Sequence, residues 1–114
     1  PAKMDDILNY IPARIAGIFV VISAYLLKLD GKNSFKIMKR DARNCPSPNS
    51  GFTMATTAGA LNIQLIKRDT YILGDANKGI DKDDITRAVN LSRLAIVLFT
   101  LTVLIILTLI YVIV

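Results

Sequence analysis

From Leu94 to Val114 the chain runs for 21 residues without a charge, a glycine or a proline. At about 1.5 Å per residue that is roughly 31 Å of helix, the thickness of a bilayer's hydrocarbon core. The run is read as a transmembrane helix. Placed after the polar part of the chain, it is no secretory signal, and Ala88 to Arg93 supplies poorly the small-residue site and polar spacer of a removable lipid-anchor signal. A second block, Ile15 to Leu27, has 13 uncharged, mostly apolar residues. Its roughly 20 Å of helix falls short of a hydrocarbon core. It is either a short span anchored by Arg14 and Lys28 or a re-entrant helix inside a larger bundle.

Between the two blocks, Lys28 to Arg93 holds 12 of the 14 Lys and Arg and 7 of the 9 acids. The positive-inside rule puts this segment on the cytoplasmic side. A net charge of +5 could suggest nucleic acid, but the cations lack the aromatic interleaving of a stacking platform. Anionic lipid and anionic substrates explain them better. One cysteine excludes an intrachain disulfide and a CxxC metal site, and fits a reducing cytoplasm. The expected fold class is all-α, a polytopic helical integral membrane protein with a cytoplasmic helical and loop segment. Residues 1–29 form a motif helix and a short membrane helix, 30–93 the basic cytoplasmic segment, and 94–114 the last membrane helix.

Within that plan, Met4 to Tyr10 is helical, with Asp5 and Asp6 in a first turn that favours acids and Pro12 kinking or restarting the helix. Asp5 and Asn9 share a face one turn apart. Ser34 is expected to cap a helix through Arg43, with Lys36, Arg40 and Arg43 on one side. Thr53 to Leu65 reads as a helix whose Ala55/Gly59 and Ala58/Asn62 pairs permit close helix approach. Lys67 to Lys82 reads as a loop; its Asp75 to Asp81 run lacks the closing Glu of a calcium loop. Asp81, Asp83 and Asp84 are expected to cap the helix entering the final span. No alternation is long enough to define a sheet.

The chemistry concentrates in Arg40-Asp41-Ala42-Arg43-Asn44-Cys45-Pro46-Ser47-Pro48-Asn49-Ser50-Gly51, where charges, prolines and small polar residues crowd into one turn-rich run. Arginine forks match phosphate and carboxylate oxygens, and the Pro-Asn-Ser-Gly turn leads into a helix start that favours anions. With Asp5-Asp6-Ile7-Leu8-Asn9-Tyr10-Ile11-Pro12-Ala13-Arg14 before it and Ala58-Gly59-Ala60-Leu61 after it, the run resembles the CobD/CbiB family, membrane-bound adenosylcobinamide-phosphate synthases of cobalamin biosynthesis. Blocks, order and spacing correspond. The resemblance implies a C-terminal portion of a longer membrane protein whose N-terminal part would be its partner. One departure stands out: Cys45-Pro46 occupies the place where the family commonly has His.

The resemblance further implies ATP-dependent amide-bond formation, attaching aminopropanol phosphate to the corrinoid adenosylcobyric acid. Such a reaction calls for Mg²⁺ on carboxylates and cations on phosphoryl oxygens. Asp5, Asp6 and Asp41 are the candidate catalytic acids, with Asp5 and Asp6 also the candidate Mg²⁺ ligands. Asn9, Arg14, Arg40, Arg43, Ser47, Asn49 and Ser50 are the candidate substrate contacts. Two other readings compete: a non-catalytic regulatory or sensor relative, and a small membrane interaction subunit whose basic loop docks lipid or a soluble partner.

Overall fold

The computed structural model describes residues 2–45, 51–68 and 70–114. Its first element, α1 (Ala2–Leu26), continues through Pro12, so the expected restart there does not occur. A proline inside a helix costs about 3 kcal/mol in a lost backbone bond and a crowded turn. Val20, Val21 and Ala24, buried on the following turns, offset that cost.

α1 closes with Lys28 at φ 61°. The Lys28 N–H donates to the Tyr25 carbonyl (3.2 Å) and that of Leu29 to the Ala24 carbonyl (2.8 Å), which satisfies two carbonyls of the last turn as the chain reverses. α2 (Gly31–Asp41) then packs back along α1, with Met38 against Gly17. Its cap is Asp30, whose carboxylate accepts from the Asn33 N–H at 2.9 Å, and not Ser34, which is buried and donates to the Gly31 carbonyl at 2.7 Å. A 3-10 turn, Ala42–Asn44, follows.

α3 (Gly51–Leu61) is shorter than its sequence pattern suggests. It ends because Asn62 adopts φ 57° and the N–H groups of Asn62 and Ile63 return to the Gly59 and Ala58 carbonyls (3.3 and 3.1 Å). Asn62 also ties neighbouring segments together: its Oδ1 accepts from Asn33 (2.9 Å) and Asn77 (3.2 Å). α2 crosses α3 at Gly59, where a Cβ would come within 2.7 Å of the Asn33 carbonyl oxygen and 2.9 Å of the Ile37 Cβ. The small-residue spacing of α3 therefore serves the helix contact expected of it.

In place of the expected loop, β1 (Gln64–Lys67) and β2 (Tyr71–Gly74) form an antiparallel hairpin with Gln64 opposite Gly74 and Lys67 opposite Tyr71. Leu73 is wholly buried beside Ile37 and Ala55, and this inward residue fixes the register. The fold is thus mostly helical with a two-stranded hairpin, not all-α.

α4 (Lys82–Ile113) is one continuous helix. The Asp81 carboxylate accepts from the Asp84 N–H (3.1 Å) while that of Asp84 accepts from the Asp81 N–H (3.0 Å), a reciprocal cap in the place expected. Leu91 and Ala95 pack with Val20, Ala24 and Ala60, and Phe19 meets Phe99 edge to face at 5.9 Å. Beyond Ala95 no residue of α4 is buried. Among the described residues α4 is the one helix long and apolar enough to cross a membrane; the apolar part of α1, Tyr10–Leu26, is shorter.

The N-terminal end of α4 predicts an acid response. Asp84, its side chain 2% exposed, takes Lys78 Nζ and Arg87 Nη1 (3.0 Å). Lys78 first, then the Asp81 N–H and Arg87, hold its carboxyl down to about 2 from an ordinary 3.8. A carboxylate whose pKa is lower folded than unfolded stabilises the fold above the unfolded value and loses that contribution as pH falls through the folded one. Unfolding midpoints measured across a pH series should therefore fall between about pH 4 and pH 2. Asp84→Asn should flatten that slope.

Candidate functional site

Because α2 doubles back on α1, Arg14 stands beside the end of α2. Arg14 and Ile18 from α1, Phe35, Met38 and Lys39 from α2, Ala42 and Arg43 from the turn, and Phe52 from α3 line one cleft of about 490 Å³. Arg14 is held in place. Its guanidinium carbon lies 3.4 Å from the Tyr10 ring centroid and 4.6 Å from that of Phe52, and Nη1 donates to the Tyr10 carbonyl at 2.9 Å. Lys39 Nζ rests 4.8 Å from the Phe35 ring centroid. Such contacts are worth about 0.5–1 kcal/mol each when exposed and restrict a cation without spending its N–H donors. Among the described residues no carboxylate pairs with Arg14, Lys39 or Arg43. One residue of each motif block, Arg14 and Arg43, thus lines the same cleft.

Arg40 does not join this cleft. Its Nε and Nη2 donate to the two oxygens of Asp41 (2.8 and 2.7 Å), and Nη1 and Nη2 donate to Asp75 (3.0 Å each). Asp41, 5% exposed, also accepts from the Gly74 N–H at 2.7 Å and from Asn44 Nδ2 at 3.4 Å. Gly74 permits this by adopting φ 80°, where any Cβ would stand 2.5 Å from the Ile63 carbonyl oxygen. The Arg40 guanidinium beside it, helped by the Gly74 N–H, holds the Asp41 carboxyl below its ordinary range against the opposing effect of burial. Asp41 and then Asp75 in turn raise Arg40. The expected shared face of Lys36, Arg40 and Arg43 is therefore split: Arg40 turns to the hairpin and Arg43 to the cleft.

Ser47, Asn49 and Ser50 lie outside the described residues, as do the side chains of Asp5, Asp6 and Asn9. Cys45 is buried. Among the described residues no group of three potential metal ligands occurs, and both Asp41 oxygens accept hydrogen bonds from Arg40. Asp75 is a partner of Arg40. Sequence reasoning missed Lys39, Phe35, Phe52 and Asp75. Phe35, Lys39 and Arg43 stand at four-residue spacing, a signal that was available; nothing in the sequence joins Asp75 to Arg40.

These features define a mostly helical protein with one candidate membrane-spanning helix and a cationic, aromatic-walled cleft between two sequence motifs. Residues 1–92 match the family model described as CobD/Cbib protein, and the chain belongs to that family. It is 55% identical over 101 residues to the probable cobalamin biosynthesis protein CobD of Methanothermobacter thermautotrophicus, covering 89% of this chain and 34% of that one. It is 44% identical over 98 residues to the cobalamin biosynthesis protein CobD of Clostridium perfringens, covering 79% and 31%. To the cobalamin biosynthesis protein CbiB of Salmonella typhi it is 41% identical over 110 residues, covering 86% and 34%. The chain spans about a third of the length of these curated relatives. No solved structure matches it.

Proposed function

We propose that this chain carries part of the working site of a cobalamin-biosynthesis enzyme, an adenosylcobinamide-phosphate synthase that joins the amine of aminopropanol phosphate to a carboxylate of adenosylcobyric acid. The observation that carries this reading is the meeting of Arg14 and Arg43, one from each motif block, in a single cleft. Amide formation from a free carboxylate needs activation, which ATP would supply as phosphoryl donor, with Mg²⁺ as counter-ion and Asp5 and Asp6 as its ligands in this reading. The chain's own described residues bind and orient: Arg14 and Arg43 offer forks to phosphate or carboxylate oxygens, and the Arg40–Asp41 pair braces the turn that presents Arg43. Ser47, Asn49 and Ser50 add neutral donors in this reading. The protein would be a multi-pass membrane protein with residues 30–93 on the cytoplasmic side, completed by a further N-terminal portion and seated in lipid.

The test is a mass-spectrometric assay on membranes holding the complete gene product, given adenosylcobyric acid, aminopropanol phosphate, ATP and Mg²⁺. Product is expected from the parent protein, with a loss of about a hundredfold or more in Arg43→Gln, the scale of a removed transition-state contact. Folded protein that makes no product would replace this reading with the regulatory one.

A further inference from the structure

The β1–β2 hairpin has two faces, and only one of them is covered. On the inner face Leu65 stands opposite Leu73, and Leu73 is wholly buried against residues of α2 and α3. On the outer face Ile66 stands opposite Ile72, and these are 63% and 54% exposed. A strand face turned to water is ordinarily polar, whereas two isoleucines directly opposite each other make one contiguous apolar patch. Lys67, Arg68 and Thr70, all exposed, lie at the closed end of the hairpin and line one shallow depression of about 640 Å³ with that pair. No described acid lines it. We propose that this outer face is a membrane contact additional to α4, in which Ile66 and Ile72 enter the headgroup region of a bilayer bearing anionic lipid and Lys67 and Arg68 meet its phosphates.

Size argues for lipid over a protein partner. Two side chains supply a small part of the roughly 1,000 Å² that a specific protein interface needs. A bilayer asks for less, because α4, as the candidate span, would hold the hairpin beside it and make the contact an intramolecular event. Charge points the same way. Lys67 and Arg68 outweigh Asp69, the one acid of the strand connection, and long cationic side chains reach headgroup phosphates while their stems lie along apolar surface. The patch is also held firm: the Gly74 N–H donates to Asp41 (2.7 Å) and Asn44 Nδ2 to the Ile72 carbonyl (3.4 Å), which ties β2 to the end of α2 and the turn after it. Little further ordering is then needed on contact. The depression shares no lining residue with the cleft, and the proposal does not depend on the reaction proposed above.

The experiment places a fluorophore on the hairpin of the complete protein through Thr70→Cys, with the parent protein carried through the same labelling as the blank. The protein is set in nanodiscs of phosphatidylcholine and phosphatidylglycerol that include a lipid with a nitroxide quencher near its headgroup. Quenching is expected there, and about threefold less in nanodiscs of phosphatidylcholine alone, where the cations have no anionic lipid to meet. Ile66→Thr with Ile72→Thr keeps the branched shape that suits a strand while removing the apolar patch, and should cut quenching about fivefold or more. Because both isoleucines are more than half exposed, the unfolding midpoint of that variant should not move. A lowered midpoint would mean that the pair packs against protein, and overturns the proposal. So does a probe shielded from iodide in water yet untouched by the nitroxide lipid, the result expected if another part of the protein covers the patch. Equal quenching in the two lipid mixtures, or quenching that survives the threonine variant, overturns it as well.

Discussion

Asp41→Ala is expected to destabilise the protein by about 2–3 kcal/mol, read as a lowered unfolding midpoint in detergent. Breaking a buried ion pair costs about 3–5 kcal/mol when the remaining charge is left without a partner. Here the partner is better placed, since Arg40 keeps its two bonds to Asp75 and its side chain is 43% exposed, so the figure is reduced. What Arg40 recovers, Gly74 does not. Its buried N–H loses a 2.7 Å acceptor, and an unmet buried donor costs about 1–3 kcal/mol by itself. Asp75→Ala leaves Asp41 paired and Gly74 satisfied, and should cost less than about 1 kcal/mol. If the two variants prove equal, the burden does not fall on Asp41.

Gly59→Leu should have the larger effect, preventing folded protein from accumulating. A Cβ at this position would stand 2.7 Å from the Asn33 carbonyl oxygen and 2.8 Å from the Ser34 Cα, both of them backbone atoms that cannot rotate aside. Relief requires α2 to move off α3. That movement uncovers Ile37, which is wholly buried, and breaks the bond from Asn33 Nδ2 to the Gly59 carbonyl (2.9 Å). Overpacking costs about 1–3 kcal/mol where side chains can adjust and more where they cannot. Gly59→Ala should already cost about 2 kcal/mol, so the pair of variants grades the effect. Expression in membranes and protease resistance would measure it, and an undisturbed Gly59→Leu protein would contradict the described crossing of α2 and α3.

Several of these features were legible in the sequence because local chemistry decides them. The cap at Asp81 and Asp84 and the run to Val114 need no tertiary partner to be recognised, and α4 realises both. Where packing decides, the sequence left the question open or misled. Pro12 signals a break that the buried turns after it override. The hairpin was hidden because Lys67, Arg68 and Thr70 look like loop, and its determining residue, Leu73, acts only once α2 and α3 exist to cover it. The cleft shows the same limit: Arg43 stands three residues from Arg40 and four from Lys39, spacings that suit either neighbour on a helix. Burial of Ile37 and Met38 chooses the side, and a carboxylate on a distant loop captures Arg40.

As a candidate membrane span, α4 would be a gauge as well as an anchor, because its course is unbroken. Its inner turns are fastened to α1 and α3 through Leu91 and Ala95, and its outer turns are bare. With no hinge between the two halves, the depth at which the bare half settled in a bilayer would set the height of the basic cleft relative to the headgroups. Adding one residue after Ala95 would turn the fastened half by about 100° and shift it by about 1.5 Å relative to the bare half. Which way the cleft opens, toward lipid or toward water, is then a matter of helical phase along a single rod.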